Sequence, residues 1–539
     1  MSFDLALWSL QSARFHQMML LGWMTMTIGC LRGSISMVIV CMITRAEATV
    51  LAVNESTTEA PWHRFFHRNH NTDLYAISLS VPEQSTIHST YYFATLIGLF
   101  LSHFLIRRFH AKRILTFGLL LNSTGSILMP FLLIALPNWL TIVIVRALMG
   151  FGNGFVTPCS VYIVAKWFPS HEKITAITAL FIGNQIGVAC SMLFTSMICR
   201  LHTFGGWTIA VELYGITGLV FLVLWELYAV NKPRHSSYVT ATELDHIRGK
   251  RLKKATLNDV NTRTPFKKIL LSPCAIAICA CCYTQSFIVS CITAYLPTFN
   301  HAIMNIDILW NGFASSLPFF VHATSSTVFL YGFLTLRKHG ISKTNIIKGY
   351  SIVATSGVSL CILAFFILTS DQFLVLALLQ SAALGFLSAF LVGCIASVTA
   401  IVPQFTSFAL PYTEVYTHLA AVLAPVAVEM FSKTNEFKQW SILLCLLLVL
   451  LTGIVFSLFA HGCHEIVLQP YSEHLTIQSR IRSHRELHEQ EALQPIQHSK
   501  SSMEPPAVTY CGGEASIPLR YEELPLGSWN EEFTSDDEY

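Results

Sequence analysis

A few ionisable side chains interrupt otherwise apolar stretches, and they are where this chain can do chemistry. Arg32 breaks the run around Gly29-Cys30-Leu31 about midway along it. An arginine at mid-bilayer costs roughly 2.5 to 3.5 kcal/mol on insertion scales, so it turns to a partner or a water-filled cavity. A guanidinium matches carboxylate or phosphate through two parallel hydrogen bonds. Arg32 is therefore the first candidate to hold an anionic solute, with a structural ion pair as the other reading. Arg146 opens the stretch Arg146-Ala147-Leu148-Met149-Gly150-Phe151-Gly152-Asn153-Gly154, whose small residues let helices approach closely. It reads either as a second anion contact or as a residue at the non-cytoplasmic mouth.

Three further residues could carry protons. His88, near the start of its run, is placed to take one from the non-cytoplasmic side, and a capping or snorkelling histidine fits the same position. Glu414 and His418 are four residues apart on one helical face, so they can share a proton or form a structural hydrogen bond. His103, Glu212 and Glu226 lie near the ends of their runs, where they reach water, and no role is assigned to them; His322 and Glu429 complete the set.

The elements that must position these groups are membrane spans. A crossing needs about 20 apolar residues at 1.5 Å rise. Twelve runs qualify: 18–43, 84–106, 113–136, 139–165, 174–198, 207–230, 268–296, 308–332, 346–369, 372–401, 405–430 and 439–461. Composition agrees, because the 539 residues are 53% hydrophobic and 12% charged, against about 25% charged in a soluble chain. Ala46-Glu47-Ala48 resembles a signal-peptide cleavage site, yet the run before it exceeds the usual apolar core of about 7–15 residues, and an uncleaved span is expected.

Basic residues set the orientation. Arg107, Arg108, Lys112 and Arg113 join the second and third spans, Lys166 and Lys173 flank the next loop on that side, and Arg337, Lys338 and Lys343 follow the eighth. By the positive-inside rule these loops face the cytoplasm, and an even number of spans puts both termini in the cytosol. The organisation expected is a cytosolic N-terminus (1–17), a six-helix bundle (18–230) with a non-cytoplasmic loop (44–83), a basic cytosolic linker (231–267), a second six-helix bundle (268–461) and an acidic, disordered cytosolic tail (462–539). Two such bundles suggest a solute path between repeated halves.

Charge and cysteine usage exclude other classes. From His461 onward there are 14 acidic and 5 basic residues, so the positive charge of the body falls in short clusters between apolar runs. That pattern reports topology and argues against nucleic-acid binding. Most of the 15 cysteines sit within apolar runs and none in the 44–83 loop, so no disulfide framework is expected. No HExxH helix is present, so no metal site is signalled, and no cofactor is implied. Asn54-Glu55-Ser56 is the one credible glycosylation acceptor; Asn122-Ser123-Thr124 fits the pattern but lies inside a span. In the tail, Tyr521-Glu522-Glu523-Leu524 resembles a tyrosine-based sorting signal read by adaptors, and chance gives such matches often. Cys463, just past the last span, reads as an unmodified thiol or a palmitoylation site.

Several stretches in order carry a resemblance: Leu31-Arg32-Gly33-Ser34-Ile35-Ser36; Ile87-His88-Ser89; Arg107-Arg108-Phe109-His110-Ala111-Lys112-Arg113; the glycine-rich stretch from Arg146 with Pro158 and Lys166-Trp167-Phe168-Pro169; Tyr295-Leu296-Pro297-Thr298; and Asn311-Gly312 to Pro318. Over roughly residues 20–470 the chain resembles the anion-transporting branch of the major facilitator superfamily, which contains sialin, the vesicular glutamate and nucleotide transporters and the sodium-phosphate transporters. The resemblance implies an alternating-access carrier of organic anions or phosphate, driven by proton, sodium or voltage. It also implies that Arg32 corresponds to a first-span arginine that binds anionic substrate, His88 to a second-span histidine of the glutamate branch, and Arg146 to the arginine opening the fourth-span motif.

The departures are specific. Met149 and Asn153 stand where the branch has acidic residues, and Tyr283 replaces the seventh-span arginine of glutamate carriers, which disfavours glutamate. Ser397-Val398-Thr399-Ala400 and Pro411-Tyr412-Thr413-Glu414 replace two further motifs, so proton coupling has either moved to Glu414 and His418 or vanished. The expectation is a secondary carrier of small organic anions or phosphate, not an enzyme, in a vesicular, lysosomal or plasma membrane. The alternative is a transport-dead relative acting as a sensor or binding partner.

Overall fold

The computed structural model describes residues 12–55, 79–201, 206–236, 238–247, 271–302, 304, 306–367, 372–401, 406–432 and 437–460, without the side chains of 47–55, 366, 401 and 437–442. The fold is all-α. With no water in hydrocarbon to satisfy peptide groups, a segment crossing a membrane must pair them within itself, and long apolar runs become helices.

The first half comprises α1 (Ala13–Glu55), α2 (Val81–Arg108), α3 (Ala111–Ala135), α4 (Trp139–Asn153), α5 (Val156–Trp167), α6 (Lys173–Cys199) and α7 (Trp207–Tyr228). The second comprises α8 (Pro273–Ala302), α9 (Ile308–Lys338), α10 (Lys343–Ile367), α11 (Phe373–Ile401), α12 (Thr406–Ser432) and α13 (Phe437–Phe459). The segment Trp139–Trp167, broken between α4 and α5, makes one crossing; among the described residues eleven segments are long and apolar enough to cross a membrane, and α13 adds a further apolar helix over Leu443–Phe459. The fold is a twelve-span, two-bundle architecture.

Local chemistry sets the ends. At the start of α2 the Ser80 N–H donates to the Glu83 carboxylate at 2.7 Å, and at α4 the Leu140 N–H donates to Asn138 Oδ1 at 3.1 Å. Arg107 and Arg108 close α2, and Arg337 and Lys338 close α9, where cations complement the helix dipole.

The second half repeats the packing of the first. α1 packs on α6 as α8 packs on α12, α2 on α4 as α9 on α11, and α3 on α7 as α10 on α13. The halves meet through α2 against α12 and α6 against α9. Close approach needs glycine at two places in particular. A Cβ on Gly150 would collide with the Tyr91 carbonyl of α2, and one on Gly187 with the Met26 carbonyl of α1. The outward face of α2 presents Phe93, Ile97, Phe100 and Phe104 at helical spacing, all exposed, as a lipid-facing stripe should be.

Three sequence expectations change. α1 begins before residue 18 and continues to Glu55, beyond the run ending at 43, because Ala46 to Val53 is made largely of helix-compatible Ala, Val and Leu. The fourth span is two helices rather than one, parting at Gly154 and Phe155. A disulfide is present, joining Cys41 near the end of one apolar run to Cys199 at the end of another, 158 residues away. Scanning the polar loop for cysteines misses this pair, because Cys41 lies within α1 and Cys199 at the end of α6, and α1–α6 packing brings them together. Asn54 lies in the helical backbone of α1, with its side chain outside the described residues; Cys463, Tyr521 and Leu524 also lie outside them.

Candidate functional site

Between the halves lies a cavity of about 140 Å³, with walls from α1, α2, α5, α6, α8, α11 and α12 and from Asn153 at the end of α4. Arg32 projects into it from α1. One guanidinium nitrogen donates to Asn184 Oδ1 on α6 at 2.7 Å, and Asn184 Nδ2 donates in turn to the Thr25 carbonyl at 3.3 Å. No carboxylate pairs with Arg32 among the described ion pairs, and its Nε has no hydrogen-bond partner. The structure thus presents an oriented cation, braced by a neutral amide, with donor capacity to spare.

Glu414 and His418 line the same cavity from α12. His418 Nε2 lies 3.6 Å from Glu414 Oε2, so the four-residue spacing does bring them together. Both interact electrostatically with Arg32. His418 stacks at 6.4 Å on Tyr92 of α2, which carries the pair to the seam between the halves. Arg32, Glu414 and His418 are the charged or imidazole side chains of the lining; the remaining polar surface is neutral, from residues such as Asn153, Gln185, Gln285 and Thr417.

Arg146 is placed differently. It is buried, stands neither in the cavity lining nor at an exposed mouth, and holds its guanidinium carbon 4.1 Å over the Tyr91 ring. Its one described hydrogen bond, at 3.4 Å, goes to the Leu31 carbonyl, next to Arg32 in sequence. Met149 borders the same small void, so a thioether occupies ground beside a buried cation. His88 is also buried, its ring 6.2 Å from that of Tyr295 across the seam, with Nε2 unpartnered. It does not line the cavity. The structure therefore gathers Arg32, Glu414 and His418 at one chamber and leaves Arg146 and His88 packed behind it. Tyr283 stacks on Phe287 at 6.4 Å and is likewise absent from the lining.

Sequence reasoning missed Asn184, an amide in a span with no charge to draw attention. It also missed a buried network at the ends of α1 and α6. Arg14 Nη1 lies 2.6 Å from Glu172, and Arg14 Nε lies 2.9 Å from Glu243. Glu243 sits in the helical segment 241–247 and also accepts from the Ser12 hydroxyl at 2.7 Å, capping α1. The burial of Arg14 follows from its neighbours in space and has no signal along the chain. Glu226, given no role from sequence, pairs with Lys112 at 3.0 Å.

A two-bundle helical fold with a polar chamber at the seam is the architecture of a membrane transporter. The family model described as Major Facilitator Superfamily matches residues 21–400, and the chain belongs to that family. It is similar to an uncharacterised transporter, slc-17.3, of Caenorhabditis elegans, 26% identical over 423 residues covering 77% of this chain and 76% of that one. It is also similar to a putative inorganic phosphate cotransporter of Drosophila ananassae, 23% identical over 387 residues, 70% of this chain and 79% of the other. In fold it resembles a D-xylose-proton symporter, with a TM-score of 0.61 at 13% identity over 84% of this chain and 99% of that one. These relatives agree with the divergent anion-transporter resemblance carried by the motifs.

Proposed function

We propose that the protein is a secondary active carrier of small organic anions or phosphate, with Arg32 as the residue that binds the anion. The observation that carries this reading is the Arg32 guanidinium, projecting into the inter-bundle chamber against neutral Asn184 with its Nε unpartnered. An anion entering would replace water at a preorganised cation without first breaking an ion pair. Phosphate cotransporters and probable anion transporters among the relatives fit the same chemistry.

The chamber reaches Val161 on α5, Val398 on α11 and Leu410 on α12, toward the helix ends marked by basic residues. Toward the opposite ends the halves are joined, with the Ser89 hydroxyl donating to the Val422 carbonyl at 3.0 Å and Thr44 meeting His301 at 3.4 Å. With the basic face cytosolic, this is an inward-facing state and both termini are cytosolic. The disulfide between Cys41 and Cys199 lies at the other face, which suits an oxidising lumen or exterior. Glu414 and His418 are the groups placed to couple proton movement to the cycle; sodium coupling is the competing possibility. Vesicular, lysosomal and plasma membranes all suit such a carrier, with Asn54 as the glycan acceptor and Tyr521 to Leu524 as an adaptor signal.

Uptake of radiolabelled phosphate and organic anions into proteoliposomes tests the reading. Wild-type flux lost in Arg32→Ala at equal protein incorporation supports it. Absence of flux for every anion, at two pH values with and without sodium, favours the second reading: a transport-dead sensor, consistent with Met149 and Asn153 standing where carboxylates are expected.

A further inference from the structure

Away from the chamber, at the end of the bundle where basic residues cluster, the α5–α6 loop meets the linker segment 241–247. His171 and Glu172 come from the loop and His246 from the linker, and one donor atom from each lies within 4.8 Å of the others. His171 Nε2 and His246 Nε2 each stand 3.5 Å from Glu172 Oε1. That distance is too long for a good hydrogen bond. It is close to the roughly 3.3 Å edge between donors that share a tetrahedral zinc ion at about 2.0–2.1 Å.

We propose that His171, Glu172 and His246 form a binding site for a divalent transition-metal ion of the zinc class, which fastens the linker to the first bundle. Two further observations support it. His246 Nε2 is buried and has no hydrogen-bond partner, so an imidazole nitrogen is held out of water facing the other two donors. Glu172 is held by Arg14, whose Nη1 lies 2.6 Å from both carboxylate oxygens, the kind of outer support that fixes a ligating carboxylate.

Two imidazoles and one carboxylate select zinc, cobalt, nickel or copper over magnesium or calcium, which prefer all-oxygen cages. His171 is half exposed, so it can swing in to close the remaining edge and leave a fourth position for water. Because Glu243, on the same linker segment, already binds Arg14, the ion would add a second fastening between linker and bundle.

The test is spectroscopic and independent of transport. Full-length protein in detergent, with any affinity tag removed, is titrated with cobalt(II). One equivalent giving the intense visible bands of a four-coordinate site is expected, lost in His246→Gln and in His171→Gln but kept in His339→Gln, an exposed histidine on the same face. His171 is exposed enough that its variant should fold, which keeps the test decisive if His246→Gln does not. No visible bands in wild type, or bands that survive His171→Gln unchanged, would overturn the proposal.

Discussion

The Arg32 guanidinium of α1 and the Asn184 amide of α6 meet at 2.7 Å across the first bundle, and the acceptor is uncharged. A neutral brace orients the cation while leaving its charge for a solute. Had position 184 been acidic, the same geometry would have made a closed ion pair.

Asn184→Asp should therefore weaken anion uptake with Arg32 untouched. A charge-assisted hydrogen bond contributes about 1.5–3 kcal/mol, so an internal carboxylate competing for the guanidinium should raise KM about 10- to 100-fold. Initial-rate uptake against substrate concentration, at matched surface abundance, checks this. An unchanged KM would mean that Arg32 does not contact the anion.

If the proposed proton coupling runs through this pair, whose side chains stand 3.6 Å apart at the chamber wall, Glu414→Gln should flatten the pH dependence of uptake and His418→Gln should do the same. Uptake measured from pH 5 to 8 gives the answer. A pH profile unmoved by either substitution would take proton coupling away from this pair.

Arg146→Met should act on stability more than on KM, because its guanidinium is stacked 4.1 Å over Tyr91 and is absent from the chamber lining. A desolvated cation–π contact is worth about 2 kcal/mol. Thermal unfolding in detergent should show the loss, and the folded fraction should keep its substrate affinity. A large rise in KM with unchanged unfolding temperature would restore Arg146 as an anion contact.

Cys41→Ser and Cys199→Ser should each lower the unfolding temperature under non-reducing conditions, as removal of a native disulfide costs about 2–5 kcal/mol in small secreted domains. Reductant should lower the wild type to the level of the variants and leave the variants unmoved. Equal stability of all three without reductant would show that the bond contributes nothing.

Arg14→Ala should be more disruptive than its place near the start of the chain suggests. It strips the partner from buried Glu172 and Glu243 together, and breaking a buried pair costs about 3–5 kcal/mol. Protease sensitivity of the linker around residues 241–247 should rise with it, and unchanged protection would separate the linker from this network.

Much of the architecture could be read along the chain because hydrocarbon imposes it. About twenty apolar residues per crossing and basic residues at alternate loops are local properties, and the twelve spans, including α11 and α12, followed from them. Arg32 was legible because a lone guanidinium in such a run is expensive, and Glu414 with His418 because a four-residue interval on a helix is a spatial contact in itself.

What tertiary packing alone decided is which of these polar groups face the chamber. Arg32 and Arg146 look alike in sequence, each a cation in an apolar run, yet one opens into the cavity and the other lies over Tyr91. The same holds for Asn184 beside Arg32, Cys199 beside Cys41, and Glu172 and His246 beside each other. Hydropathy depends on a residue and its near neighbours, so it specifies each helix separately. Side-chain partners more than 70 residues apart depend on how those helices rotate and pack, and no local pattern records that.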